Sequence, residues 1–551
     1  MFAGIAGTVW LAGCDGADAP TAGSSASATV SASASASVSA PPSASASGAG
    51  TITLGEANIP AMGRSRGVFY EIFVRSFSDS DGDGIGDLQG VTDKLDYLQQ
   101  LGIKGIWLMP VTPSPSYHGY DVTDYYAIDP DYGTVDDLKG LLAKAHDRDI
   151  QVIMDLVLNH TSSRHPWFAD SAGGKGSVKR NWYKWTADGA DASALGPWGQ
   201  TVWHPGPSGG SYLGVFSDGM PDLNLDNPDV RAELTRVGQY WLGLGLDGYR
   251  LDAAKHIYED FQSSSADPAT SRMNVAWWQQ FRQGVSENGR QPYLVGEVWD
   301  ATAVVGPFLD WALDSALNFE AAKLVLDAVK TGDASSFASV LARQLAYYSK
   351  VSGGRFVDAP FLGNHDQNRV MSELGGDVER AKLAAALLLT LPGNPFLYYG
   401  EEIGMKGAKP DERIREPMIW VKDRSSGGQT SWEPATDNAD TPSAEEQLAD
   451  PDSLLGRYKL LIGWRNQEPT LGDGGFAPFE VEEDGILAFV RASSSAALLV
   501  VHNLTGEERI VDLNAGGAVP ASGIRFATDS GSTALTGGKL RLPPYGTAIL
   551  Q

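Results

Sequence analysis

Short apolar runs alternating with amphipathic stretches predict an α/β fold: a (β/α)8 barrel with a domain inserted after its third strand and an antiparallel β-sandwich at its C-terminal end. Three observations predict it. Eight apolar runs begin near residues 68, 104, 151, 245, 293, 315, 359 and 396, and helical spacing between the early ones indicates a parallel sheet covered by helices. The rhythm breaks between residues 159 and 219, where Trp, Gly and Pro accumulate. After about residue 461 it gives way to short alternating runs punctuated by Gly, Asn and Asp.

The 551 residues carry a net charge of −26 and one cysteine. Like charges repel, so this balance disfavours nucleic acid and anionic membrane surfaces as partners. A single cysteine excludes an internal disulfide framework. Residues 1–14 form an apolar run closing on Leu11-Ala12-Gly13-Cys14, which resembles a bacterial lipoprotein signal, although no Lys or Arg precedes the run. Membrane contact is therefore expected only through a lipid anchor on Cys14, with the protein outside the cell. From residue 15 to about residue 51 the sequence is almost entirely Ser, Ala, Thr, Gly and Pro, with too little apolar surface to offset ordering entropy, and residues 15–60 read as a flexible tether.

The barrel is expected over residues 61–158 and 220–462. Strands are expected at residues 68–73, 104–109, 151–158, 245–252, 293–297, 315–319, 359–364 and 396–399, with helices at 91–101 and 136–146. Residues 159–219 form the insertion, on the side where a barrel builds its site. Its Trp182, Trp185, Trp198 and Trp203 suit sugar stacking, but aromatics in small loop domains more often form their own core. The C-terminal β-domain, residues 463–551, has strands expected at 487–491, 497–502, 508–513, 540–542 and 547–550. It lacks clustered titratable groups and is assigned a packing role.

The chemistry centres on Arg250 and Asp252, two apart and so on one face of an extended strand. A carboxylate beside a guanidinium is expected to stay ionised, and at a strand's end can act as a nucleophile. Clusters follow three other predicted strands: Asp155 to His160, Gly296 to Trp299, and Asn364-His365-Asp366. A barrel converges strand C-termini on one rim, so Asp252, Glu297 and Asp366 can serve as nucleophile, proton donor and charge stabiliser. Glu297 must then keep a proton, which neighbouring carboxylates favour. Upstream, Asp79, Asp81, Asp83 and Asp87 alternate with glycines around Ile85, as hard cations such as Ca²⁺ require. Position twelve of that loop is Gly90 rather than a bidentate Glu, so a true EF-hand is not expected.

These motifs, with Met220-Pro221-Asp222-Leu223-Asn224, closely resemble glycoside hydrolase family 13, the α-amylase family, over roughly residues 64–465. The resemblance implies a TIM barrel with an inserted domain B, a C-terminal domain C, and retaining hydrolysis. It makes Asp252 the nucleophile, Glu297 the acid/base and Asp366 the transition-state stabiliser. It places Arg250, His160 and His365 on the first sugar with Tyr120 stacked beneath it, and adds His118, Asp121, Lys255, His256 and Arg369 to the substrate contacts. It also implies a second Ca²⁺ held by Asn159, Asp222 and the carbonyl of His256. The Asp79 to Asp87 loop and His165 to Phe168 look like the oligo-1,6-glucosidase branch. Ala253 and Lys255-His256 look like α-1,4-specific members, and residues 220–224 like a group between the oligo-1,6-glucosidase and neopullulanase branches. The balance implies α-1,4 hydrolysis of starch and maltooligosaccharides by a monomer. A cyclomaltodextrinase or neopullulanase-like hydrolase, a maltooligosaccharide transglycosidase, and a surface glycan-binding protein without turnover are the alternatives.

Overall fold

A computed structural model describes residues 59–187, 192–258, 268–514 and 523–551. Seven strands form one parallel sheet in the order Ser315–Ala316, Tyr293–Gly296, Gly248–Leu251, Gln151–Leu156, Gly105–Leu108, Phe69–Ile72, Phe396–Tyr398. The eighth position lies between the two edges. Leu317 bridges Ala359 and Phe361 bridges Phe396, both in parallel, so the sheet closes into a barrel. Pro360 sits between these bridges without an N–H to donate, which keeps this position from forming a continuous ladder. The strand at 315–316 is also shorter than expected, because the Asn318 side chain accepts from Ala321 N–H and starts the helix Phe319–Thr331.

Alternation divides the strands cleanly. Phe69, Trp107, Ile153, Val295, Phe361 and Phe396 point inward and fill the barrel. Tyr70, Ile72, Ile106, Leu108, Val152 and Met154 point outward beneath the helices. Gly105 makes room for the filling: a Cβ there would lie 2.2 Å from the Phe69 ring. The helix expected at 91–101 is two helices, Leu88–Asp93 and Leu95–Leu101, parted at Lys94. Asp87 caps the first by accepting from Gly90 N–H. Val135–His146 is one helix, opened by a Thr134/Asp137 capping box.

Between the third and fourth barrel strands the chain forms the helix Pro166–Ala172 and a hairpin, Trp203–Pro205 with Ser211–Leu213. Trp185 packs on Phe168 and Tyr212, Trp182 packs on Trp167, and Trp203 lies against Val202 and Leu213. These three tryptophans are half-buried and pack against the core. Trp198 is 58% exposed beside Phe216 and His256.

At the C-terminus a five-stranded antiparallel sheet faces a three-stranded one. Ala488, Val490, Leu499 and Val501 meet Val511, Leu540 and Leu542 in the sandwich core. Their alternate neighbours, Leu487, Phe489, Leu498 and Val500, turn the other face of the larger sheet into the barrel's own core. Buried Arg491 ties the junction, donating to the carbonyls of Gly474 and Thr390. Gly475–Pro478, Ile524–Ala527 and Ala534–Thr536 had no predicted counterpart. All three are sheet edges, whose pairing is set by a neighbour rather than by their own pattern.

Candidate active site

Inward positions near the strand C-termini carry charge in place of the apolar filling. Asp155 and Arg250 are register partners on adjacent strands, and Glu71, two strands beyond Asp155, is the register partner of Trp107. Arg250 is fully buried and is the hub. Its Nη1 donates to Asp155 Oδ1 at 2.9 Å and to Asp252 Oδ1 at 2.6 Å. Its Nη2 lies 2.8 Å from Glu297 Oε2, an ion pair made without hydrogen-bond alignment. Glu297 Oε2 instead accepts the N–H of Ala253 at 3.0 Å. Ala253 reaches it from a left-handed φ of +47°, a conformation that costs a non-glycine residue about 1 kcal/mol.

The opposite side of the rim carries Asp366. His365 Nε2 lies 3.0 Å from Asp366 Oδ2, and His365 Nδ1 lies 2.6 Å from Glu71 Oε1. Burial works against charge on His365, but Asp366 and Glu71 push it up to about 10, so it is a cation at neutral pH. Burial likewise opposes ionisation of Asp366, yet His365 and Arg415 hold its carboxyl well below the usual carboxylate range. The Tyr120 hydroxyl joins the two sides, donating to Asp155 Oδ2 at 3.0 Å and lying 2.7 Å from His365 Nε2. Its ring stacks on that of His365 at 5.5 Å. The side chains of Asp252, Glu297 and Asp366 are 11%, 17% and 33% exposed, so all three reach solvent.

Two expectations change. Asp252 was expected below its usual proton affinity because of Arg250. Burial instead raises it well above, and Glu297 and Asp155 add to the rise while Arg250 opposes it. One guanidinium does not neutralise three carboxylates. Arg369 was expected to face substrate. It is buried, donates to the carbonyls of Ile414 and Tyr399, and lies over the rings of Tyr398 and Tyr399. Arg415 occupies the rim instead: its Nε donates to His365 O and its Nη2 to Asp366 Oδ1 at 3.1 Å. Arg415 lies in an irregular stretch and had no local signal. Glu71 had one, an acid inside the apolar strand Phe69–Ile72, which demands a buried partner.

The remaining predicted residues border this core. His160 is buried with Nε2 on the carbonyl of Tyr120, and burial lowers it to about 4, so it is neutral. His118 Nδ1 accepts the N–H of Tyr120. Buried Asp121 accepts from the hydroxyls of Ser114 and Ser116, which directs it to its own loop. Lys255 Nζ donates to Trp299 O and Asp300 Oδ2. His256 lies against Trp198 and Phe216. Trp299, 49% exposed, lies flat on Phe319 at 4.5 Å beside Glu297.

In the acidic loop, ligand oxygens of Asp79, Asp81 and Asp87 lie within 4.8 Å of one another. Gly82 and Gly84 take positive φ, and Asp79 accepts the N–H groups of both. Asp83 accepts the N–H of Ile85, so its carboxylate closes the turn. This donor set, oxygen only and carboxylate-rich, fits a hard cation. At the second predicted site Asn159 Oδ1 is buried without a hydrogen-bond partner. Its backbone carbonyl accepts from Leu223, and the adjacent His160 bridges Asp222, which brings Asp222 close by. An orphaned carbonyl near a buried carboxylate also fits Ca²⁺.

Comparison with known proteins agrees with this architecture. The α-amylase catalytic-domain family model matches residues 71–474, and the model of the SusG α-amylase C-terminal domain matches residues 486–549. Alpha-amylase 3 of Dictyoglomus thermophilum is 40% identical over 486 residues, covering 88% of this chain and 93% of that protein. The 4-alpha-glucanotransferase of Thermotoga maritima is 34% identical over 452 residues, covering 80% and 97%. The crystal structure of the α-amylase from H. orenii superposes with a TM-score of 0.80 at 43% identity, covering 88% of this chain and 99% of that one. Sequence, barrel and charged rim agree: this chain belongs to glycoside hydrolase family 13, the α-amylase family.

Proposed function

We propose that the protein is a retaining hydrolase of α-1,4-glucosidic bonds in starch and maltooligosaccharides. The observation that carries this reading is the Arg250 guanidinium shared by Asp252 and Glu297. Two carboxyls held on neighbouring nitrogens of one group suit the short spacing of a nucleophile and acid pair, about 5–5.5 Å, better than the wider spacing of an inverting pair. Asp155, Asp252 and Glu297 surround one guanidinium, and repulsion among three carboxyls around a single cation favours a proton shared within the set.

With that proton on Glu297, Asp252 attacks the anomeric carbon as Glu297 protonates the departing glycosidic oxygen. The resulting glycosyl ester on Asp252 is hydrolysed by water that Glu297 deprotonates, returning the α-anomer. Asp366, kept anionic by His365 and Arg415, faces the positive charge that develops on the sugar. Exposed Trp198 and Trp299 border this rim and offer faces to neighbouring glucosyl units.

We further propose Ca²⁺ at two places, one on Asp79, Asp81 and Asp87 and one on Asn159, Asp222 and the His256 carbonyl. Bound there, the ion supplies charge neutralisation and loop rigidity. We also propose a lipid anchor on Cys14 and an extracellular location, both read from residues 1–58, which lie outside the described residues.

The test is the product spectrum and anomeric configuration of early products from amylose, with D252N and E297Q as controls. Loss of product by about 10³-fold or more in both variants, with α-anomers from wild type, is expected. Turnover of sucrose without cleavage of starch overturns the proposal.

A further inference from the structure

Trp311 is the most exposed tryptophan among the described residues, at 62%. It is also held in a left-handed backbone conformation, with φ +62°. A bulky aromatic residue adopts that region only when its surroundings fix it, and such strain concentrates at functional positions. Here the surroundings do fix it. Its N–H donates to Leu309 O at 3.2 Å, and Leu313 N–H donates to Phe308 O at 2.8 Å. Gln279 Nε2 donates to Asp310 O at 2.7 Å and Arg282 Nε to Ala312 O at 3.0 Å. Ala312 and Leu313 are buried on the C-terminal side of the indole. The ring is therefore presented on a rigid support.

Its neighbours are polar and equally accessible. The Arg355 guanidinium sits 4.4 Å from the ring centroid. That guanidinium also reaches Asp310 at 3.8 Å, and both side chains are about half exposed. A flat apolar face, a planar donor and a carboxylate acceptor together are the complement of a pyranose ring, whose C–H face stacks while its hydroxyls hydrogen-bond outward. The patch lies just before the strand Ser315–Ala316, at the N-terminal rim of the barrel. Asp252 and Glu297 follow the C-terminal ends of their strands, so the two places are on opposite faces.

We propose that Trp311, with Arg355 and Asp310, is a second α-glucan-binding site, remote from the cleft, that holds polymeric substrate without cleaving it. The choice of α-glucan rests on the function proposed above. A polymer many times longer than the cleft can occupy both faces of one molecule or bridge neighbouring granule chains, raising the local concentration of cleavable ends.

The test uses the full chain and two substrates, granular starch and soluble maltoheptaose. Trp311→Asn removes the ring and substitutes a residue that tolerates the left-handed region, so folding is preserved. Arg355→Ala is the second variant. Adsorption to granular starch is expected to fall roughly five- to tenfold in Trp311→Asn and a few-fold in Arg355→Ala, while kcat/KM on maltoheptaose stays within about twofold of wild type. Unchanged adsorption in both variants overturns the proposal, as does a parallel loss of maltoheptaose hydrolysis, which makes the role structural. The described chain enters beside this patch, since Ala61 O accepts from Ser349 and Ala61 flanks Gly354. If Trp311→Asn keeps its adsorption but exposes residues 1–58 to protease, the indole serves the tether and the proposal falls. Adsorption that depends on Trp311 in a wild type unable to cleave α-glucans overturns the functional reading alone.

Discussion

Tyr120→Phe isolates the hydroxyl that joins the two halves of the rim. The ring and its stacking on His365 remain, while the contacts at 3.0 Å to Asp155 and 2.7 Å to His365 are lost. Neither partner is left stranded. Asp155 keeps Arg250 and Trp107, and His365 keeps Asp366 and Glu71. The loss is thus that of a hydrogen bond to charged groups, about 1.5–3 kcal/mol, without the added penalty of an orphaned buried ion. If that bond holds Asp155–Arg250–Asp252 in line with His365–Asp366 during reaction, kcat/KM falls by about ten- to a hundredfold, carried mainly by kcat. Tyr120→Ala, which also removes the ring, should lower kcat/KM further through KM. Steady-state kinetics on maltoheptaose for wild type and both variants make the comparison. Kinetics of Tyr120→Phe within twofold of wild type would refute the linkage and leave Tyr120 as a stacking surface alone.

Two further outcomes follow from groups outside the rim. Burial pushes Glu401 up to about 8, with Tyr458 donating to it and Glu402 adjacent. Its folded value thus lies above the unfolded value of about 4.3, so its stabilising contribution is complete below pH ~4.3 and is lost as pH rises to about 8. Glu401→Gln, neutral at every pH, should flatten the decline of Tm across that window; an unchanged slope would show that the carboxyl does not hold its proton. The Asp79 to Asp87 loop supports the cleft through Gly84 O, which accepts from Ser431 and Trp432, and Trp432 stacks on Tyr117 beside His118. Chelation of Ca²⁺ should therefore lower Tm and raise KM together, both restored by added Ca²⁺, and identical melting with chelator and with Ca²⁺ would remove the metal from the account.

The sequence alone determined the periodic features. Apolar runs alternating with amphipathic stretches placed all eight barrel positions, and the period of two along a strand put Arg250 and Asp252 on one face, because side-chain direction on a strand is a local property. The ordered motifs marked Asp252, Glu297, Asp366, His160 and His365 because each follows a strand whose end the barrel closure brings to one rim. Only the tertiary structure decided what depends on residues far apart in the chain. Arg415 reaches Asp366 across 49 positions, while Arg369, close to Asp366 in sequence, turns away into the rings of Tyr398 and Tyr399. The edge strands at 475–478 and 524–527 exist because a neighbour offers a ladder. The raised proton affinity of Asp252 follows the same logic. Its neighbour in sequence is a cation, but burial and two carboxylates brought in from other strands outweigh it, since charge balance in a closed site is summed over space and not along the chain.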